Sequence, residues 1–170
     1  MQLCDIQVGE SVQIGDVRYI VLSQSVGKTA VITERIQEKM AYGETGEYID
    51  SSIRRYCIDD FYRKVLHDIG AENILPHFVD LQAEDGTGID KSCYDFVSVL
   101  TKSRYRRYRQ YLPPLGDWWW LSTRVSYDDS LGFQRRACCV YSNGIPDWGD
   151  CGYRGGVRPF LVLKSDLLIS

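Results

Sequence analysis

Three consecutive tryptophans, Trp118-Trp119-Trp120, followed by Leu121, constrain this chain more than any other feature. Neighbouring side chains on a strand point to opposite faces, so the three indoles cannot share one side. At least one must leave the central core to cap a loop layer or an edge. A second marked run, Tyr153-Arg154-Gly155-Gly156-Val157-Arg158-Pro159-Phe160, follows downstream. Its glycines permit close backbone approach, and Arg158 carries a fork of donors suited to holding carbonyls. Both runs read as scaffold. The residues between them mix Tyr, Asp, Arg, Phe, Cys and Trp with almost no repeat. Large amphipathic rings and bidentate guanidiniums are what contact surfaces use, so this segment is expected to be a binding surface.

A chain of 170 residues suits one domain with its own core and no disulfide staples. The net charge of -3 opposes nucleic acid as the main partner, because phosphate binding needs a sizeable basic surface. No apolar run approaches the roughly twenty residues of a membrane span. The opening Met1-Gln2-Leu3-Cys4-Asp5 lacks a charged-then-apolar signal pattern, so a cytoplasmic site of synthesis is expected. In that compartment the six cysteines are expected to stay mostly reduced. Cys138 and Cys139 are adjacent, point to opposite faces of a strand and cannot together close a metal site. His67 and His77, the only histidines, have no further ligands at a recognisable spacing. No metal, cofactor or catalytic residue is expected.

The run Asp16 to Leu22 and the run Thr29 to Thr33 are β-branched and aromatic-rich, which predicts a hairpin. Ile36 to Tyr48, polar with Gly43 and Gly46, predicts a loop after a short continuation. Asp50-Ser51-Ser52 then precedes Ile53, Cys57, Phe61 and Val65, an apolar row at four-residue spacing that predicts a helix ended by Gly70. Asp59 and Arg63, and Asp60 and Lys64, are spaced for supporting ion pairs. Ala83 to Gly88 predicts a loop, Tyr94 to Leu100 a strand, and Ser103 to Leu112 a short helix stopped by Pro113-Pro114. Strands are then expected over WWWLST, QRRACCVY and GVRPFLVL. Helices early and strands late, with an N-terminal hairpin besides, predict a single α+β domain over residues 1–170.

Lys102, Arg104, Arg106, Arg107 and Arg109 form the one basic run, interleaved with Tyr105, Tyr108 and Tyr111. A solvated helix face with its tyrosines turned inward is expected there, since the acidic remainder opposes a nucleic-acid field. Asp128-Asp129 and Asp147-x-x-Asp150 lack the ligand spacing of a calcium loop and read as solvated turn aspartates.

WWWLST, ACCVYSNG and GGVRPFLVLKS resemble the C-terminal signature of the C-type-lectin-fold variable proteins of diversity-generating retroelements, many of them carried by phages and prophages. Ser52-Ile53-Arg54-Arg55-Tyr56 with Phe61 is similar to a helix of the same proteins. The resemblance implies a C-type lectin-like fold of the formylglycine-generating-enzyme subclass. It also implies a rigid scaffold whose segment before GVRP is rewritten by adenine-directed mutagenesis. Asn codons changed at their adenines never encode Lys, Glu, Met, Gln or Trp. From Leu121 to Leu163 there is no Lys, Glu or Met, where the composition of the whole chain would place roughly four. Gln134 and Trp148 are unreachable by this route and are expected to be fixed scaffold. Arg124 stands where relatives often have Pro, which implies a different exit angle for the first loop.

The expected function is non-enzymatic recognition of a ligand through a hypervariable region within residues 118–160. The expected contact residues are Tyr127, Asp128, Asp129, Phe133, Arg135, Arg136, Tyr141, Asp147, Asp150 and Tyr153, all reachable from Asn codons. The implied partner is a protein or glycan on a cell surface, with the protein cytoplasmic when made or carried on a phage particle. Two alternatives stand beside it. One is a formylglycine-generating-type oxidase using Cys139 with Cys151, although copper-binding cysteines in that branch are not adjacent as Cys138 and Cys139 are. The other is a phage structural accessory domain whose segment binds neighbouring subunits or itself.

Overall fold

The structure, a computed structural model, describes residues 1–170. The chain opens with β1 (Ser11–Ile14), β2 (Val17–Ser25) and β3 (Lys28–Thr33), joined by tight turns at Gly15 and Gly27, both with positive φ. The expected hairpin is therefore β2–β3, and β1 extends it. A short strand, β4 (Glu38–Ala41), lies where a loop was expected. Its Glu-Lys-Met-Ala sequence carries little strand propensity, and it is ordered by pairing rather than by its own residues.

The apolar row beginning at Ile53 forms one helical run. It starts as α1 (Ser52–Arg55), passes through a π-helical stretch over Tyr56–Phe61 and continues as α2 (Tyr62–Ile69). The Ser51 hydroxyl caps it, accepting the Arg54 N–H at 3.0 Å, and Gly70 ends it with φ +88°. Strict four-residue spacing in an α-helix drifts by about 40° per step, so the row would spiral away from the core by Ile69. The wider π turn takes more residues per revolution and swings the row back. Ile53, Cys57, Phe61, Val65 and Ile69 are consequently all buried. The same widening displaces the expected ion pairs: neither Asp59–Arg63 nor Asp60–Lys64 is among the salt bridges.

Next come β5 (Ile74–Leu75), β6 (His77–Asp80), β7 (Ser92–Asp95) and α3 (Lys102–Tyr108). The strand expected from Tyr94 to Leu100 ends at Asp95; Val97, Val99 and Leu100 are buried, and Ser98 makes only an isolated bridge to Phe160. The chain closes with β8 (Trp119–Arg124), β9 (Arg136–Val140), β10 (Pro146–Asp150), β11 (Arg154–Val157) and β12 (Phe160–Lys164). One sheet has the order β1-β2-β3-β12-β5 and the other β10-β9-β8-β11-β4, with β6–β7 a separate ribbon. All pairings are antiparallel except β11 with β8. The molecule is an α+β domain, mostly sheet. No helix is long and apolar enough to cross a membrane.

The tryptophan triplet divides between faces. Trp120 enters the larger core beside Tyr42, while Trp119 faces the other way, onto Tyr105. Cys139 and Cys138 split in the same fashion, so the second sheet is buried on both sides. GVRPFLVL is not one strand but two in different sheets, with Arg158-Pro159 as the crossing point. Arg158 is fully buried there. It donates Nε–H to the Thr33 carbonyl at 2.7 Å and Nη2–H to the Glu34 carbonyl at 3.0 Å, and it lies 5.0 Å from the Trp119 ring centroid. On α3 Tyr105 and Tyr108 are turned inward and Arg106 and Arg107 outward, with Arg109 exposed just beyond. The expected solvated face is incomplete, however: Lys102 is buried against Glu84 and Arg104 is only partly exposed.

Candidate functional site

β9 and β10 form a hairpin closed by Tyr141 to Ile145. The Tyr141 N–H donates to the Ile145 carbonyl at 2.9 Å, and the Gly144 N–H returns to the Tyr141 carbonyl at 2.8 Å. Gly144 holds φ +86°, a left-handed position open to glycine, and Asn143 Oδ1 accepts the Ile145 N–H at 3.1 Å. β10 is half-buried along its length, consistent with an edge strand that starts on proline. After a bend at Cys151-Gly152 the chain enters β11, which sits beyond β9 and β8 in the sheet.

A cleft of about 850 Å³ opens between this hairpin, the bend and Trp118. It falls within the size range of small-ligand sites. Trp118, Tyr141, Trp148 and Tyr153 supply its aromatic surface. Trp118 meets Trp120 edge-on at 4.7 Å, and the Trp120 indole N–H donates to the Met40 carbonyl at 3.1 Å, so this wall is tied to the core. The Trp120 ring packs beneath Gly149, where a Cβ would stand 3.8 Å from it in ordinary contact. Arg136 lies 4.7 Å from the Trp148 ring centroid, and Phe133 meets the same indole edge-on at 5.8 Å. Stacked this way, Trp148 is braced from two sides.

Charge in the cleft is balanced, with Arg136 and Arg154 against Asp147 and Asp150. Asp150 Oδ1 accepts the Gly152 N–H at 2.8 Å and pairs with Arg135 at 3.2 Å. The backbone donor first, and Arg135 after it, hold its carboxyl below the usual range. Burial and then the neighbouring Asp147 raise the Tyr141 phenol, which remains a neutral donor at physiological pH. Arg154 donates to the Lys39 carbonyl at 3.0 Å, anchoring the mouth to β4. Such an arrangement offers rings for stacking and both signs of charge for orientation.

Five of the ten expected contact residues line this cleft: Arg136, Tyr141, Asp147, Asp150 and Tyr153. Tyr141 and Tyr153 are the open ones, 41% and 65% exposed. The other five lie outside it. Tyr127 is a brace, its hydroxyl donating to the Leu81 carbonyl at 2.7 Å and its ring lying under Arg124 and Lys91. Asp128 caps the following turn by accepting the Ser130 N–H at 3.0 Å. Asp129 pairs with Arg124 at 3.2 Å, and Arg135 holds the Glu44 carbonyl at 2.8 Å as well as Asp150. Phe133 acts on the cleft through Trp148. Conversely, Trp118 and Trp148, read as scaffold from the sequence, form part of the wall. Trp148 stands on β10, a strand whose Pro, Asp and Gly conceal it in the sequence, and Trp118 packs on Trp120 and Gly155.

All six cysteines are free thiols. Cys139 pairs with Asp147 on β10, whereas the Cys151 N–H bonds to the Arg135 carbonyl. Four residues of strand separate those positions, about 13 Å, so the two sulfurs do not converge on one ion. Burial, with Asp147 adding, pushes the Cys139 thiol up to about 12, and burial pushes Cys151 up to about 11. Both stay protonated at neutral pH, unlike reactive thiolates.

No protein-family model matches the chain, and no curated protein or solved structure is similar to it. What the fold and site define is an α+β domain with an aromatic cleft of mixed charge at the edge of one sheet.

Proposed function

We propose that this chain is a non-enzymatic target-recognition protein of C-type lectin-like fold whose residues 118–160 are the variable region of a diversity-generating retroelement. One observation carries the reading. Every residue lining the large cleft falls between Trp118 and Arg154, inside the window bounded by the two motifs. No Lys, Glu, Met or Gln is among them, and the two tryptophans, Trp118 and Trp148, are the lining positions that adenine-directed rewriting of Asn codons does not reach. The motif ends form the frame: Trp120 and Arg158 are buried, and Trp120 backs the Trp118 wall of the cleft. A rigid frame lowers the ordering cost of binding, so exposed rings can be exchanged without loss of the fold. The partner is a protein or glycan on a cell surface, contacted by Tyr141 and Tyr153 with Arg136 and Asp147 setting orientation.

The test is a screen of the intact protein against glycan and surface-protein arrays, repeated with Arg136, Tyr141, Asp147 and Tyr153 replaced together by alanine. Loss of every hit, with the fold kept by circular dichroism, is expected. Hits that survive in the quadruple variant would place recognition elsewhere.

A further inference from the structure

A second, smaller pocket of about 190 Å³ lies on the opposite sheet and shares no residue with the cleft. Its floor is one face of the β2-β3-β12 strands, built from small side chains: Ser23 stands opposite Ala30, Ala30 opposite Val162, and Ser25 opposite Lys28. Helix α3 forms its wall, presenting Arg104 and Arg107 from successive turns and Tyr108 beside them. Lys28 closes the end, and Lys164 is directly across the ladder from Lys28, hence on the same face. Three cations therefore line a pocket with no carboxylate, and Lys164 adds a fourth beside Lys28 on the same sheet face, in a protein whose net charge is -3.

None of these four side chains, Lys28, Arg104, Arg107 and Lys164, has an ionic partner. Arg104 rests against the Phe160 ring at 5.1 Å, and its Nη1 is buried without a hydrogen bond. Burial above all, with the like charge of Arg107 adding, lowers its proton affinity. Asp80, the carboxylate whose charge reaches Arg104, lines a different pocket. Like charges directly opposite on a ladder are destabilising, and a buried orphan donor carries a desolvation cost. Both penalties vanish when an anion enters.

We infer that this pocket binds a tetrahedral oxyanion, a phosphate or sulfate group carried by a small molecule. Its volume suits such a group and the first atoms beyond it, and is below that of a drug-sized ligand site. The Arg104 and Arg107 guanidiniums supply forked donors, Lys28 and Lys164 supply point charges, and the hydroxyls of Ser23 and Ser25 supply short neutral donors. The nucleic-acid alternative needs a basic surface extending along a backbone, and this pocket is a small local concavity of about 190 Å³ rather than a stripe.

Isothermal titration of the full chain with inorganic phosphate, inorganic sulfate and glycerol 3-phosphate tests it, at low ionic strength held constant with chloride. Saturable one-to-one binding is expected for at least one of the three, and the tightest identifies a free ion or an ester as the source. Lys28→Gln with Arg107→Gln, both exposed positions, is expected to weaken it about tenfold or more while the fold is kept by circular dichroism. Arg63→Gln, which removes a charge from α2, is expected to leave it unchanged. No binding of any of the three, or equal losses in the Arg63 and Lys28/Arg107 variants, would overturn the assignment.

Discussion

Gly155 lies flat beneath the indole of Trp118: a Cβ at residue 155 would stand 2.6 Å from Trp118 Cη2 and 2.8 Å from Trp120 Nε1. The two motifs that bracket the candidate variable region thus meet in space, and the Gly156 N–H seals the join by donating to the Trp118 carbonyl at 3.1 Å. Overpacking of this kind costs about 1–3 kcal/mol. Gly155→Ala is expected to lower stability by that amount in urea melts. Gly152→Ala, whose Cβ would meet only side-chain atoms of Arg135 and Asp150, is expected to cost less than half as much.

Arg158 ties the crossing between sheets to the end of β3 through two carbonyls and the face of Trp119. A lysine reaches one carbonyl, not both, and loses the planar stack. Arg158→Lys is expected to destabilise by about 2–4 kcal/mol, read by chemical denaturation, because a buried acceptor is left unmet.

His77 is buried, bonded to Ser98 Oγ at 2.8 Å and packed edge-on against Phe160. Burial first, and the charge of Arg104 second, lower its pKa from 6.5 to about 4. Between those values the unfolded chain binds a proton that the folded one refuses, so acid favours unfolding. The group's contribution is complete above about pH 6.5 and declines as the pH falls towards 4. Its full size is about 3 kcal/mol. His77→Gln keeps a donor for Ser98 and removes the titration. Its stability profile from pH 7 to 4 is expected to be flatter than that of the parent.

Thiol chemistry provides a separate check. Cys4 is exposed, whereas Cys57, Cys138, Cys139 and Cys151 are buried, and burial pushes the half-buried Cys93 up to about 12. Iodoacetamide at neutral pH is expected to label one thiol rapidly in the native protein and six in urea, read by intact mass. A native disulfide would cap the count in urea at four.

Much of the frame is legible in the sequence, for local reasons. The row Ile53, Cys57, Phe61 and Val65 with its Ser51 cap specifies a helix, and a strict four-residue period is itself a trace of the π stretch. The division of Trp119 from Trp120 and of Cys138 from Cys139 follows from the strand period alone. What the sequence conceals is pairing. β10 is written in turn-forming residues, Pro-Asp-Trp-Gly-Asp, and exists because β9 lies beside it. Codon reach makes Trp148 scaffold and Tyr127 a contact, and it carries no geometry: the structure places Trp148 in the cleft wall, and the Leu81 carbonyl claims the Tyr127 hydroxyl. Val97 to Leu100 errs the other way: its apolar run satisfies burial without forming a ladder.

The central claim, a fixed frame around an exchangeable cleft, is tested most directly by deep sequencing of this gene across a growing population of its host. The expected result is substitution concentrated in the codons of Arg136, Tyr141, Asp147, Asp150 and Tyr153. Trp118, Trp120, Trp148 and Arg158 should stay constant, and a near-identical repeat differing at adenines should lie nearby. A uniform population without such a repeat, or changes scattered evenly along the chain, would contradict it.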